Sequence, residues 1–249
     1  MSQAGNGTLT ARSVLASTLL GADPPDLPVS HLVRLAALFG INENRARVAL
    51  SRMVAGGEAS TDGAGHYRVA GHLLERRQRQ TASRAGRTHP WGGDWHLVVV
   101  TTSGSTAEVR GRRRRALAFV RLAELREGTW LRPDNLDLNL PDNVGDDLAR
   151  FGARPDDPTA LAPRLWDLGG WAARAIELRR QLAAGTPDDG TDLALGFVLS
   201  AAVLRHLQAD PLLPPDLLPP SWPGESLREV YDGWDARYRQ VLSAWSRSP

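Results

Sequence analysis

FGINENRARVALSRMVAGGEASTDGAGHYRVAG, residues 39–71, decides how the front of this chain folds. Asn42 is a helix-capping type, because its side-chain oxygen can accept a hydrogen bond from a backbone N–H of the first turn. Glu43 then sits at the positive end of the helix dipole. The helix runs to about Ala55 and stops at Gly56-Gly57. Turning about 100° per residue from Glu43 gathers Ala46, Leu50, Met53 and Val54 on one face, which must pack inward. The opposite face carries Asn44, Arg45, Val48, Ser51 and Arg52, with Arg47 on the flank near Val54. After the glycines, EAS, TDGAG and HYRVA read as strand, turn and strand. Asp62-Gly63 and Gly65 supply the turn chemistry, and Tyr67 and Val69 alternate inward against outward His66 and Arg68.

Working back from this stretch, HLVRLAALFG follows Ser30 with Leu32, Leu35, Ala36 and Phe39 on one helical face, and Gly40 ends it. ADPPDLPV is a proline-rich loop with room for a short strand at Leu27–Val29, and RSVLASTLLG (12–21) is a short helix closing at Gly21. Three helices followed by a hairpin predict a winged helix-turn-helix over residues 10–75. In that motif the second helix of the pair enters the major groove and its N-terminal residues meet base edges. Asn44 and Arg45 are the base-reading candidates, since Asn pairs bidentately with adenine and Arg with guanine. Val48 shares their face. Arg52 and Ser51 suit phosphates, Arg47 suits packing or a phosphate, and His66 and Arg68 on the wing could reach the adjacent backbone or minor groove. The competing reading of each arginine is a solvated charged face.

Forward of the hairpin, residues 76–90 carry Arg76, Arg77, Arg79, Arg84 and Arg87 and read as a basic linker, helical or extended. WHLVVVT (95–101) is an apolar strand, GRRRRALAFVRLAELREG (111–128) a helix and TWLRP (129–133) a second strand, which together suggest a small α+β domain over 91–160. Residues 161–249 read as a helical C-terminal domain. RLWDLGGWAARAIELRRQLAAG (164–185) is one helix. TDLALGFVLSAAVLRHLQAD (191–210) is another, apolar nearly all round and therefore expected to be buried. PLLPPDLLPPSWPG (211–224) cannot be a helix interior, because proline removes donors and clashes with the preceding turn. The final helix places Leu227, Val230, Tyr231, Trp234, Tyr238, Leu242 and Trp245 on one stripe. The expected class is α+β and multidomain.

All 30 basic residues are arginine. Residues 1–132 hold 19 of them against 10 acids, and residues 133–249 hold 11 against 18. A basic front and an acidic rear suggest nucleic acid at one end and a different partner at the other. No run of about 18 apolar residues suggests a membrane span, and the first residues lack the basic-then-apolar order of a signal peptide. Cysteine is absent, which excludes disulfides and thiolate metal sites and suits a cytoplasmic location. None of the six histidines pairs with an acid at metal-binding spacing, so no metal and no cofactor is expected.

Arg112, Arg113, Arg114 and Arg115 form a run read at a helix start, where the dipole disfavours cations, so a partner is wanted. DNA backbone, the phosphates of a coenzyme A ligand, an acidic surface of the rear domain and plain solvation all remain open. Trp91, Trp95, Trp130 and Trp222 would suit an aromatic acyl group or a core. The proline segment, with Leu212, Leu213, Leu217 and Leu218 as anchors, reads as a structural strut or as a ligand wall.

LPVSHLVRLAALFGINENRARVALSRMVAGG resembles the N-terminal domain of the phenylacetate-catabolism repressor family, the PaaX type. WGGDWHLVVV is similar to the start of that family's middle domain, and RHLQADPLLPPDLLPPSWPGESLREVYDGW (205–234) to its C-terminal motif, the most specific of the three. The resemblance implies a cytoplasmic transcription regulator, usually a repressor, acting as a homodimer on a palindromic operator and released by an acyl-CoA such as phenylacetyl-CoA. It implies that Arg47 and Arg52 are the family's two helix arginines. Arg45 is less typical of its position, and the polar stretch after Pro133 departs from the family pattern, so the effector can differ. The resemblance also implies a ferredoxin-like (Cas2-like) middle domain, and Arg112–Arg115 with Trp130 and Trp222 become the candidate ligand residues. A Cas2-like nuclease would need a carboxylate at the end of its first strand to hold a metal. Here that strand ends in VVVTTSG, and Asp94 lies before it. The expectation is therefore no enzyme; a constitutive DNA-binding protein without effector is the alternative.

Overall fold

The computed structural model describes residues 9–22, 24, 26–102, 104–140, 147–185 and 193–247. The chain is a mixed α+β protein that divides into two compact units. One comprises the chain up to Ala85, Glu177–Gln208 and the chain from Ser226; the other comprises Gly86–Ile176 and Ala209–Glu225.

The first unit begins with α1 (Ala11–Gly21), capped by the Thr10 hydroxyl. Strand β1 (Leu27–Pro28) leads into α2 (Val29–Ala37), and α3 (Glu43–Ala55) follows a turn at Gly40. Val29 rather than Ser30 opens α2, and no side chain caps it. The Asn42 side chain accepts from the Arg45 N–H at 2.9 Å, so the expected cap of α3 is in place. Strands β2 (Ala59–Thr61) and β3 (His66–Val69) form the hairpin, and β1 pairs with β3 to complete an antiparallel sheet in the order β1-β3-β2. Leu15, Leu19, Leu32, Leu35, Ala46, Leu50, Met53 and Leu73 are buried together as its core. At the hairpin base Gly71 adopts φ +49°, and a Cβ there would lie 2.5 Å from the Gly57 carbonyl oxygen, so any larger residue must displace backbone.

Of the two forms expected for the basic stretch, helical or extended, the helical one is found as far as Ala85, in the 15-residue helix α4 (Gly71–Ala85). Two of its arginines are spent on packing. Arg77 donates to the Ala22 carbonyl at 2.8 Å, and Arg84 reaches Asp232 and Asp235 and lies over the Tyr231 ring. The same unit holds α8 (Leu193–Gln208) and most of α9 (Gly224–Arg247), whose Tyr231, Trp234 and Tyr238 rings stack in series and are buried. Phe197 of α8 meets Phe39 edge-on, and Arg34 of α2 sits over the Trp245 ring. In the division into compact units α8 and most of α9 fall with the front of the chain, whereas Ala209–Glu225 falls in the other unit. The all-round burial expected of α8 is also not met: Leu195 is 69 % exposed and Val198 48 % exposed.

The second unit is built on a four-stranded antiparallel sheet of β4 (Trp95–Val100), β5 (Ala123–Arg126), β6 (Thr129–Pro133) and β7 (Leu148–Ala153), in the order β5-β6-β4-β7. Helix α5 (Ala107–Phe119) connects β4 to β5. The helix expected over 111–128 thus ends at Phe119 and gives way to strand. Arg121, at φ +61°, makes the break, and its guanidinium donates to the Asp210 carbonyl at 2.8 Å. On one side of the sheet Val98, Leu117, Leu122 and Trp130 are buried together. On the other, Trp95 and Leu131 pack with Ala162 of α6 (Pro158–Leu165), Leu168 of α7 (Leu168–Ala184), and Leu213 and Leu217.

Those last two leucines belong to the proline segment, a chain without α-helix apart from a 3-10 turn at Pro215–Leu217. Arg132 and Asn135 hold it down. Arg132 is almost fully buried and donates to Pro133 O, Val120 O and the Asn135 side chain, while Asn135 Nδ2 donates to Leu212 O at 2.8 Å. Burial first, then the charge of Arg121, brings the Arg132 pKa down to about 10, partly offset by Asp134.

Candidate nucleic-acid interface

Helix α3 turns the face expected of it inward: Ala46, Leu50 and Met53 are buried, while Asn44, Arg45, Arg47, Val48, Ser51 and Arg52 are exposed. Val48, at 44 % exposed, is the apolar member of the outward face, the kind of group that meets a thymine methyl. The arginines are not equivalent. Arg47 donates to Glu43 one turn earlier at 2.7 Å, so part of its charge is answered on the helix itself. Arg45 and Arg52 have no carboxylate within ion-pair distance among the described residues. Their charge is left for something outside the fold.

Beside this face lies a groove of about 430 Å³ between the start of α1 and α3, lined among others by Arg12, Asn44, Arg45, Val48, Arg52 and Glu58. Two of these residues were not singled out from the sequence. Arg12 grips Glu58 through two N–H groups, one at 2.8 Å, and His72 lies 3.9 Å from the same carboxylate. The Arg12 hydrogen bond holds the Glu58 carboxyl below its ordinary range. This pair braces the first helix against the entry to the hairpin. With the partners 46 positions apart, no local pattern announces it.

The hairpin tip is organised by Asp62, whose side-chain oxygen accepts from the N–H groups of Ala64 at 2.8 Å and His66 at 3.0 Å. These bonds, the one from His66 first, draw the Asp62 carboxyl below its ordinary range. Gly63 and Gly65 take φ +76° and +97°, the left-handed values the turn needs. His66 is exposed but lies 3.1 Å from Asp26, so its ring already has a partner. Arg68 is exposed with no carboxylate within ion-pair distance among the described residues.

The other candidate residues are not brought together. The run Arg112–Arg115 lies in the middle turns of α5, not at its start, because the Thr106 hydroxyl caps the helix one turn earlier. Arg112 meets Glu108 at 3.2 Å, Arg113 meets Asp147 at 2.9 Å, and Arg114 meets Glu124 at 2.7 Å. Arg113 is itself only 8 % exposed. Arg115 alone of the four is exposed and without a carboxylate partner among the described residues. Trp130 is a core residue beside Val98, and Trp222 stacks on Trp171 at 4.6 Å in the other apolar cluster. Among the described residues no group of three or more His, Asp and Glu side chains could hold a metal ion, and no helix is long and apolar enough to cross a membrane.

Comparison with known proteins returns the same two ends of the chain that carry these features. The family model of the PaaX-like protein matches residues 10–73, from the cap of α1 to the base of the hairpin. The model of the PaaX-like protein C-terminal domain matches residues 170–247, and the two together take in more than half of the chain. No curated protein matches. Among solved structures, that of an uncharacterized protein, Rv0674, from Mycobacterium tuberculosis superposes with a TM-score of 0.75 at 42 % identity, over 95 % of this chain and 98 % of that one. With matches at both ends in family order and a relative of similar sequence spanning nearly the full length, this chain belongs to the PaaX-like family.

Proposed function

We propose that this member of the family is a transcription regulator of phenylacetate catabolism that binds operator DNA through residues 10–75, folded as a winged helix-turn-helix. The observation that carries the reading is the outward face of α3: Asn44, Arg45, Val48, Ser51 and Arg52 are all exposed, and neither Arg45 nor Arg52 has a carboxylate to answer it. On that reading Asn44 and Arg45 meet base edges, Ser51 and Arg52 hold phosphates, and Arg68 with His66 extends the contact from the hairpin. Arg47 contributes less than its position suggests, since Glu43 competes for it. The phosphate contacts supply the salt-dependent share of affinity.

Three further parts complete the proposal. The Gly86–Ile176 sheet is a ferredoxin-like layer, for which the order β5-β6-β4-β7 with α5 after its first strand is the support. The protein acts as a homodimer on a palindrome with half-sites about 34–36 Å apart, and the exposed Leu195 and Val198 of α8 offer a surface that a second copy would cover. It is a cytoplasmic repressor released by an acyl-CoA such as phenylacetyl-CoA, which favours a spacing of the two α3 helices that no longer fits both half-sites. A differential affinity of a few kcal/mol between the two states is enough for that.

The test is selection of bound genomic fragments with the full chain, followed by footprinting. The expected result is a small set of fragments sharing an inverted repeat, with half-site centres about 10–10.5 base pairs or a multiple apart. Recovery that tracks only fragment abundance, with no shared sequence, overturns the reading of α3 as a base-reading helix.

A further inference from the structure

The first unit holds a partly open cavity of about 480 Å³, separate from the groove beside α3. Its walls come from α1, α2, α4, α8 and α9, and the apolar part is built by Leu20, Leu35, Phe197, Leu204 and Leu242. The volume is in the range that takes small molecules. Several of the polar groups that share the lining are tied to one another. The Ser200 and Tyr231 hydroxyls share a hydrogen bond at 2.8 Å, and Asp235, nearly fully buried, is held between Arg84 at 2.7 Å and Arg239 at 2.9 Å. Gln80 lines the space, and its side-chain oxygen is buried with no hydrogen-bond partner. At the rim Arg76 and Arg205 are exposed, and among the described residues neither has a carboxylate within ion-pair distance.

We infer that this cavity is the effector site, taking an apolar anion: an aromatic or branched-alkyl body between α1, α2 and α8, with its anionic group at Arg76 and Arg205. Apolar walls with unanswered cations at the mouth recognise that chemistry and disfavour apolar cations. A neutral apolar molecule fills the same walls but gains nothing from the rim. The location also supplies a route to the DNA-reading face. Leu35 lines the cavity and is part of the core on which Ala46, Leu50 and Met53 of α3 rest. A ligand that spreads α8 and α9 from α1 and α2 therefore repositions α3 through direct packing. The inference rests on the reading of the chain as a ligand-responsive regulator, but the occupancy of the cavity is measured without DNA.

The probe is 1-anilinonaphthalene-8-sulfonate, an aromatic anion whose fluorescence rises on leaving water, titrated into the full chain. One site per chain is expected. Ala201→Trp, which fills the cavity from α8, removes that site while the far-ultraviolet dichroism is retained. Arg205→Glu, an exposed change that leaves the walls intact, weakens the sulfonate about tenfold or more and leaves the uncharged N-phenyl-1-naphthylamine unaffected. Phenylacetate and phenylacetyl-CoA are then added as competitors. Displacement by the free acid identifies a carboxylate as the anion, and displacement by the thioester alone identifies the phosphates. Undiminished sulfonate binding in both variants, equal weakening of the charged and uncharged probes by Arg205→Glu, or displacement by neither competitor overturns the assignment. Should Ala201→Trp fail to fold, Arg205→Glu decides alone. Failure of the operator reading would instead show in the fragment selection, with these titrations unchanged.

Discussion

Helices α3 and α5 are each 13 residues long, each capped by a side-chain oxygen and each with a glutamate in the first turn. Read as strings, α5 is the stronger candidate for an anionic partner, with five arginines against three. In the fold the ranking reverses. Four of the five arginines of α5 lie within 4 Å of a carboxylate: Arg110 at Glu127, Arg112 at Glu108, Arg113 at Asp147 and Arg114 at Glu124. In α3 only Arg47 is so placed. Three of the α5 partners come from β5, the turn after it and the approach to β7, none of them on the helix. Arginine density is thus a property of the sequence, whereas available charge is a property of the fold, and only the second attracts a phosphate.

The sharpest way to break this comparison removes two arginines from each helix. Arg45→Ala with Arg52→Ala is expected to lower affinity for operator duplex about a hundredfold near 0.1 M salt, and to flatten the slope of log K against log salt by about 1, the share of the phosphate-holding Arg52. Arg112→Ala with Arg114→Ala is expected to change that affinity by no more than about twofold, since exposed pairs of this kind are worth only about 0–1 kcal/mol and leave no charge to spare. Filter binding or anisotropy across a salt series measures both. Equal losses from the two pairs would mean that carboxylate pairing does not silence an arginine.

Arg113 gives the next largest effect, on stability instead of binding. Its guanidinium is nearly buried and its partner Asp147 is partly open to water. Arg113→Met removes the cation, and Asp147 recovers some hydration, so the loss falls below that of a fully buried pair, at about 1–2 kcal/mol. Urea denaturation read by tryptophan fluorescence measures it, and operator affinity is expected to stay unchanged. A loss of operator affinity without a loss of stability would return α5 to the list of nucleic-acid contacts.

The same contrast explains how much was legible in the sequence. The α3 segment reads correctly because its signals are local: the Asn42 cap, the 3.6-residue period and the Gly56-Gly57 stop all act within a few residues. The break in α5 does not, because Arg121 occupies a positive φ without being glycine and is held by the Asp210 carbonyl 89 residues later. The stretch 76–90 looked like a linker on charge alone, yet Arg77 and Arg84 find their acceptors at Ala22, Asp232 and Asp235. The proline segment was rightly refused as helix, but its anchors, Arg132 and Asn135, lie about 80 residues earlier in β6 and just after it. Arg12 and Glu58 were passed over for the same reason. What the sequence hides here is pairing at a distance, and pairing decides which charges remain.

The smallest effect tests whether a titrating group obeys the same rule. His31 lines the cavity of the first unit, and burial first, then the charge of Arg34, pushes its pKa below the ordinary value of 6.5. Arg76, Arg239 and Asp235 line the same space. In the unfolded chain His31 takes its proton near pH 6.5, whereas in the folded chain it does so only at lower pH. Between those two points the unfolded state binds more protons, so stability falls as pH drops below 6.5 and the loss is complete once the folded-state pKa is passed. Above 6.5 the residue contributes no pH dependence. His31→Gln should therefore flatten the acid side of the stability profile between pH 6.5 and the folded-state pKa, leaving the part due to Glu58 and Asp62 at lower pH intact. Urea midpoints at half-unit intervals of pH, for the parent and the variant, resolve the difference. A parent profile that rises on acidification would show that an anionic group, with Asp235 of the same cavity the candidate, outweighs burial at this position.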